Sequence, residues 1–151
     1  MKPLAVLLLA FVFSLLIGKA FRGYYDFYLS GRIAMSAMLL FTAVAHFAFT
    51  RGMAMMLPDF MPHRTTIVFL TGGIEIAASV GLFIPNFRLI AGWLLIAFFI
   101  LILPANIYAA FKQVDYQKAT FDGNGLSYLW LRIPLQVFLI VWTYLAAVMG
   151  Q

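Results

Sequence analysis

Apolar positions fall into five long runs, at about residues 3–18, 31–50, 66–84, 89–111 and 129–149. Each approaches the ~20 residues an α-helix needs to cross a hydrocarbon core ~30 Å thick. The pattern predicts an all-α protein whose helices run back and forth through a bilayer. In the first run, Lys2, the stretch Leu4–Ile17 and then Gly18-Lys19-Ala20 imitate a secretory signal with a small-x-small cleavage site. It is read as a retained transmembrane helix, the fifth of the set. This divides the chain into an N-terminal helix with its linker (1–30) and a four-helix domain (31–151).

The segments between the runs have their own character. Phe21-Arg22-Gly23-Tyr24-Tyr25-Asp26-Phe27-Tyr28 has the aromatic and charged mixture of a membrane–water interface, and is expected as an interfacial linker. Leu57-Pro58-Asp59-Phe60-Met61-Pro62 cannot be a continuous helix, and its apolar pair favours the membrane surface. Pro85-Asn86-Phe87-Arg88 is so short that the runs it joins must be antiparallel neighbours. Lys112, Asp115 and Lys118 are spaced for a helix emerging into water. Asp122-Gly123-Asn124-Gly125 reads as a tight turn, with too few ligands for a calcium loop.

Composition fixes the solvent. The chain is 65% apolar and 10% charged, against roughly 25% charged in a soluble domain. Its net charge of +5 does not point to nucleic acid, because the basic residues sit at the ends of apolar runs, where they anchor helices at head groups. Five crossings put Lys2, Arg51, Arg64, Lys112, Lys118 and Arg132 on one face, here side A. Lys19, Arg22, Arg32 and Arg88 fall on the other, side B, too even a division to orient the protein. The absence of cysteine excludes disulfides, thiolate metal sites and dithiol redox chemistry.

The candidate chemistry lies inside the runs. Glu75 is near the middle of the third, where a charged group costs on the order of 3 kcal/mol and marks a functional site by default. His46, Asn106 and Gln136 fall on three other helices at depths from side A of roughly 6, 8 and 10 Å, with Glu75 at roughly 14 Å. At about 100° per residue, Arg64, Val68, Thr71, Glu75, Ser79 and Leu82 form one stripe. Gly73, Ala77 and Gly81 lie opposite, as a small-residue seam for a close neighbour. Pro104 is expected to kink its helix beside Asn106. Together these predict a pocket opening to side A, lined by His46, Thr71, Glu75, Asn106 and Gln136. Asp59, His63, Arg64 and Arg132 would ring its mouth. His46 is the expected partner of Glu75. The competing account of such residues is a set of interhelical hydrogen bonds worth about 1 kcal/mol each.

The motifs Ala45-His46-Phe47, Leu57-Pro58-Asp59-Phe60-Met61-Pro62, Gly72-Gly73-Ile74-Glu75, Gly81-Leu82-Phe83-Ile84-Pro85, Arg88-Leu89-Ile90-Ala91 and Pro104-Ala105-Asn106-Ile107-Tyr108 resemble the DoxX family of small membrane proteins over about residues 31–149. The resemblance implies a four-helix bundle with an added N-terminal helix, and His46, Glu75 and Asn106 as shared polar positions. Some family members are small subunits of thiosulfate:quinone or quinol oxidoreductases. Related four-helix proteins serve as assembly factors or bind sterol-like ligands.

Three functions follow as expectations. The first is an accessory subunit of a membrane redox complex, holding a quinone-type ligand in an apolar slot beside His46 and Glu75. The chain has no haem-ligand pair, nucleotide loop, metal or cluster motif, so it would not be an enzyme alone. The second is a non-catalytic lipid- or isoprenoid-binding or assembly factor, working with a membrane-protein partner or a second copy. The third is a proton or small-solute carrier, which lacks support from any inverted repeat. In each case the protein would be multi-pass, in a bacterial-type inner membrane.

Overall fold

In lipid every backbone polar group must be satisfied within its own segment, so apolar runs of this length become helices. The computed structural model, which describes residues 2–150, is helical accordingly. Its elements are α1 (Lys2–Arg22), α2 (Phe27–Ala48), a short α3 (Thr50–Ala54), α4 (Arg64–Gly81), α5 (Pro85–Phe111) and α6 (Gly125–Thr143). A π-helical segment, Tyr144–Met149, continues α6. Among the described residues, four helical stretches are long and apolar enough to cross a membrane: α1, α2, α5 and Gly125–Met149. α4, expected as a fifth span, has 18 residues and carries Arg64 and Glu75. At 1.5 Å per residue it reaches about 27 Å, just under the hydrocarbon thickness. Leu8, Phe13, Val44, Leu94, Leu101 and Val137 are exposed along the helices, an outer surface suited to lipid. This is a helical membrane protein.

The core is formed by Leu7, Met35, Met38, Leu39, Leu82, Leu95, Phe98, Phe99, Leu139 and Ala147, with small residues between them. Sequential long helices pack antiparallel, α2 along α4 and α5 along α6. α1 lies along α2 and sends Leu7 into the core at 0% exposure, while Phe11 packs edge-on against Trp142 at 4.9 Å. The N-terminal helix therefore shares one core with the rest of the bundle.

Several boundaries differ from the sequence expectation, for local reasons. The aromatic linker is shorter than 21–28, because α1 runs to Arg22 and Asp26 caps α2, its Oδ1 accepting from the Leu29 N–H at 2.9 Å. α5 does not continue to Lys118. Gln113 takes a left-handed conformation (φ 53°), and the N–H groups of Gln113 and Val114 turn back to the carbonyls of Ala110 and Ala109. That is a Schellman ending with glutamine where glycine is usual. Asp115 then accepts from the Gln117 and Lys118 N–H groups in a turn, and the 112–124 segment folds back instead of extending. α5 runs as one helix through Pro104.

The packing face of α4 also requires correction. Gly73 and Ala77 are exposed, and a Cβ added at Gly73 would meet nothing within 4 Å. Of the expected seam only Gly81 packs, against Ala91. The polar stripe must face the bundle, which turns the opposite face to lipid. Close approach is made instead by Gly72, where a Cβ would lie 3.0 Å from His46 Cβ and 3.4 Å from the Phe47 ring. The Ser36 hydroxyl donates to the Ser79 carbonyl at 2.8 Å further along the same interface. Small residues join the other side as well, with Gly31 against Ala146 and Gly92 against Ala147.

Neighbouring glycines thus make opposite predictions for thermal unfolding in detergent. Gly72→Val should cost about 1–3 kcal/mol by overpacking α2 against α4. Gly73→Ala should be neutral or stabilise by up to about 1 kcal/mol, since it only removes backbone freedom from a helix. A reversed order would mean that α4 packs through another face.

Candidate functional site: a polar cavity inside the bundle

A cavity of about 320 Å³ lies in the side-A half, between α2, α4, α5 and α6. Its walls are largely apolar, among them Met38, Phe41, Val68, Phe98, Ile102, Leu135 and Leu139. Met53 and Met56 from the α3 region, and Lys2 and Pro3 from α1, close it toward side A. Each of the four enclosing helices adds polar groups to this lining.

The deepest group is the Glu75 carboxylate, at 5% exposure. Oε2 lies 3.3 Å from His46 Nδ1, so α4 and α2 bring together the pair expected from sequence. The same Nδ1 is 2.9 Å from the Thr42 carbonyl oxygen. Both neighbours are acceptors, which assigns the ring hydrogen to Nδ1. Thr42 receives the better-directed bond, and Glu75 Oε2 is left as a buried oxygen without a hydrogen bond. Nε2 of His46 has no hydrogen-bond partner among the described residues. Thr71 also lines the cavity, one turn nearer side A, its hydroxyl donating to the Val68 carbonyl at 2.8 Å.

The opposite wall is organised by α5 and α6. Arg132 donates through Nη1 to Asn106 Oδ1, and its guanidinium lies over the Tyr128 ring at 4.4 Å. Gln136 donates to the Phe99 carbonyl. Pro104 deprives the adjacent Ile100 carbonyl of its usual partner, so Gln136 binds α5 backbone where the helical ladder is already interrupted. Part of each amide is thereby engaged in joining α5 to α6, as the structural account of these residues expects. Arg132 remains a cation in the cavity wall.

Three expected mouth residues lie elsewhere. Asp59, His63 and Arg64 do not line the cavity. His63 is exposed, at the left-handed position preceding α4 (φ 53°, ψ 40°). Asp59 accepts from Arg64 Nη1 at 2.8 Å and from the Tyr108 hydroxyl at 3.1 Å, tying the start of α4 to the end of α5. Of the mouth set, Arg132 alone reaches the cavity.

The lining also includes Tyr116 and Tyr128, which depth within the apolar runs does not single out because both lie in or beside the final loop. Tyr116 comes back over the cavity because the loop folds inward. Its ring packs edge-on against Phe49 at 6.1 Å, and its backbone lies directly against Gly52, where no Cβ would fit. Burial pushes its phenol above the ordinary tyrosine range. The aromatic density after Lys112 was the available signal.

A multi-helix membrane protein with a buried acid–histidine pair in an apolar cavity is the class defined by fold and site. Within it, the chain belongs to the family described as Domain of unknown function (DUF8561), whose model matches residues 35–147. No curated protein and no solved structure matches the chain.

The Asp59 cluster gives a pH prediction. Hydrogen bonds from Tyr108 and then Arg64 hold this carboxyl below its ordinary range. A depressed carboxyl stabilises the fold above its unfolded value and loses that contribution as pH falls through the folded one. The melting temperature of wild type should therefore exceed that of Asp59→Asn near pH 7, and the gap should be smaller at an acid pH below the ordinary carboxyl range. An equal gap at both pH values would show that ionisation of Asp59 does not hold α4 to α5.

Proposed function

We propose that this protein binds a lipophilic, carbonyl-bearing ligand of the quinone type within the membrane, as an accessory subunit of a redox complex. The observation that carries the proposal is the buried Glu75–His46 pair in the wall of an apolar cavity of about 320 Å³. Apolar cavities with a few convergent polar groups are the usual form of small-molecule sites. A quinone ring needs an apolar slot, a donor at a carbonyl and a route for protons. Arg132 supplies a donor on one wall, His46 Nε2 an acceptor for a quinol hydroxyl on the other, and Glu75 and His46 are groups able to hold and pass a proton. The motif likeness to DoxX proteins, some of which serve quinone-linked oxidoreductases, supports the same ligand class and a bacterial-type cytoplasmic membrane. Electrons would come from a partner subunit, so this chain binds and positions the ligand without being an enzyme alone.

Organic extraction of the purified protein followed by mass spectrometry tests the proposal. A stoichiometric quinone is expected, and a sterol, isoprenoid or phospholipid in its place would favour a non-catalytic lipid-binding or assembly role. Glu75→Gln keeps the shape and removes the charge. It should weaken retention of added quinone by about tenfold or more, the effect of losing a charge-assisted hydrogen bond. Unchanged binding and unchanged stability in that variant would eliminate the pocket as the site.

A further inference from the structure

The walls of the cavity differ in hydrogen-bond polarity. Of the side chains that α2 and α4 add to the lining, four are polar: Thr42, His46, Thr71 and Glu75. The hydrogens of the first three are already spent on backbone carbonyls. The Thr42 hydroxyl faces the carbonyls of Met38 and Leu39, at 3.1 and 3.0 Å. The Thr71 hydroxyl donates to Val68 at 2.8 Å, and His46 Nδ1 donates to Thr42 at 2.9 Å. In the neutral ring Nε2 is then an acceptor, and the Glu75 carboxylate only accepts. Its Oε2, buried 3.3 Å from Nδ1, has no hydrogen bond. This wall offers lone pairs and no hydrogen.

The wall made by α5 and α6 keeps hydrogens to spare. Asn106 accepts through Oδ1 from Arg132 Nη1, which leaves its amide hydrogens unused. The Tyr128 hydroxyl accepts from Arg132 Nη2 at 3.3 Å and retains its own hydrogen. Arg132 itself can only donate. The other ionisable side chains of the lining, Lys2 and Tyr116, come from α1 and the final loop, so neither alters the polarity of the α2–α4 wall.

A quinone and its reduced, dihydroxy form differ in this same respect. The quinone has a carbonyl at each end of its ring, and against the α2–α4 wall it sets acceptor against acceptor. That wall can bond a carbonyl only after taking up a proton, as an imidazolium held beside the Glu75 carboxylate. The quinol needs no such proton. One hydroxyl donates to Glu75 or His46 Nε2, and the oxygen of the other accepts from Arg132, Asn106 or Tyr128. We infer that the cavity selects the quinol over the quinone through Glu75 and His46, an inference that rests on the ligand class proposed above.

Binding of a decyl-tailed dimethoxybenzoquinone and of its quinol to the full chain in detergent tests this. The measurement is anaerobic and at about pH 8, where an ordinary histidine is neutral. The quinol should bind about tenfold or more tightly, the effect of one hydrogen bond to a charged group. A tenfold ratio raises the two-electron midpoint potential of the bound probe by about 30 mV over the probe in detergent alone, which a spectroelectrochemical titration reads. His46→Phe removes one of the two acceptors and should lower the ratio, whereas a purely structural loss would weaken both forms alike. An unchanged ratio in that variant would overturn the assignment of His46. Should the variant fail to fold, the wild-type ratio and potential still decide. Equal binding of the two forms, or tighter binding of the quinone, would overturn the selectivity and leave the ligand class standing. Retention of neither form would overturn both.

Discussion

At Gly72, α4 lies so close to α2 that an added Cβ would stand 3.0 Å from the Cβ of His46. That approach sets the separation at which His46 Nδ1 meets the Glu75 carboxylate, 3.3 Å. A carboxylate near mid-membrane needs a donor or a proton, and the donor must come from another helix. Keeping it inside the bundle beside the His46 ring dictates which face of α4 turns inward, and that face brings Val68, Thr71 and Ser79 with it. The cavity, the polar stripe and the lipid-facing position of Gly73 follow from keeping one carboxylate out of lipid, at a helix crossing that one missing side chain permits.

Much of the bundle was legible in the sequence because lipid removes alternatives. Apolar length gave the long helices, and depth with helical phase brought His46, Thr71, Glu75, Asn106 and Gln136 to one cavity. The pairing of His46 with Glu75 was legible for the same reason, since few donors share that depth. The direction of the other bonds was not. Gln136 reaches a backbone carbonyl of α5, and Asn106 turns to Arg132, choices made by helix rotation and local packing.

The loops were much less legible, and for a specific reason. His63, Gln113 and Ala119 all adopt left-handed backbone conformations that favour glycine, so nothing in their identity announces a turn. Gln113 ends α5 and sends Tyr116 over the cavity, while His63 precedes α4 and points away from it. The mouth assignments of Asp59, His63 and Arg64 assumed that charges at a helix end face inward. Asp59 and Arg64 instead meet Tyr108 outside the cavity. The small-residue seam misled similarly, because spacing reveals a smooth face but not whether lipid or protein lies against it.

The bundle also divides mechanically into two boards, α2 with α4 and α5 with α6. Each carries its own polar bond, Ser36 to Ser79 in one and Gln136 to Phe99 in the other. At side B they are bound like the spine of a book, by Trp142 donating to the Gly31 carbonyl and Arg32 to that of Gly150. At side A the bond between Asp59 and Tyr108 works as an exposed clasp. The cavity is the gap between the covers. An occupant seated there would touch both boards and act as mortar, so that occupancy would be read outside the protein as stiffness, with the fold itself unaltered.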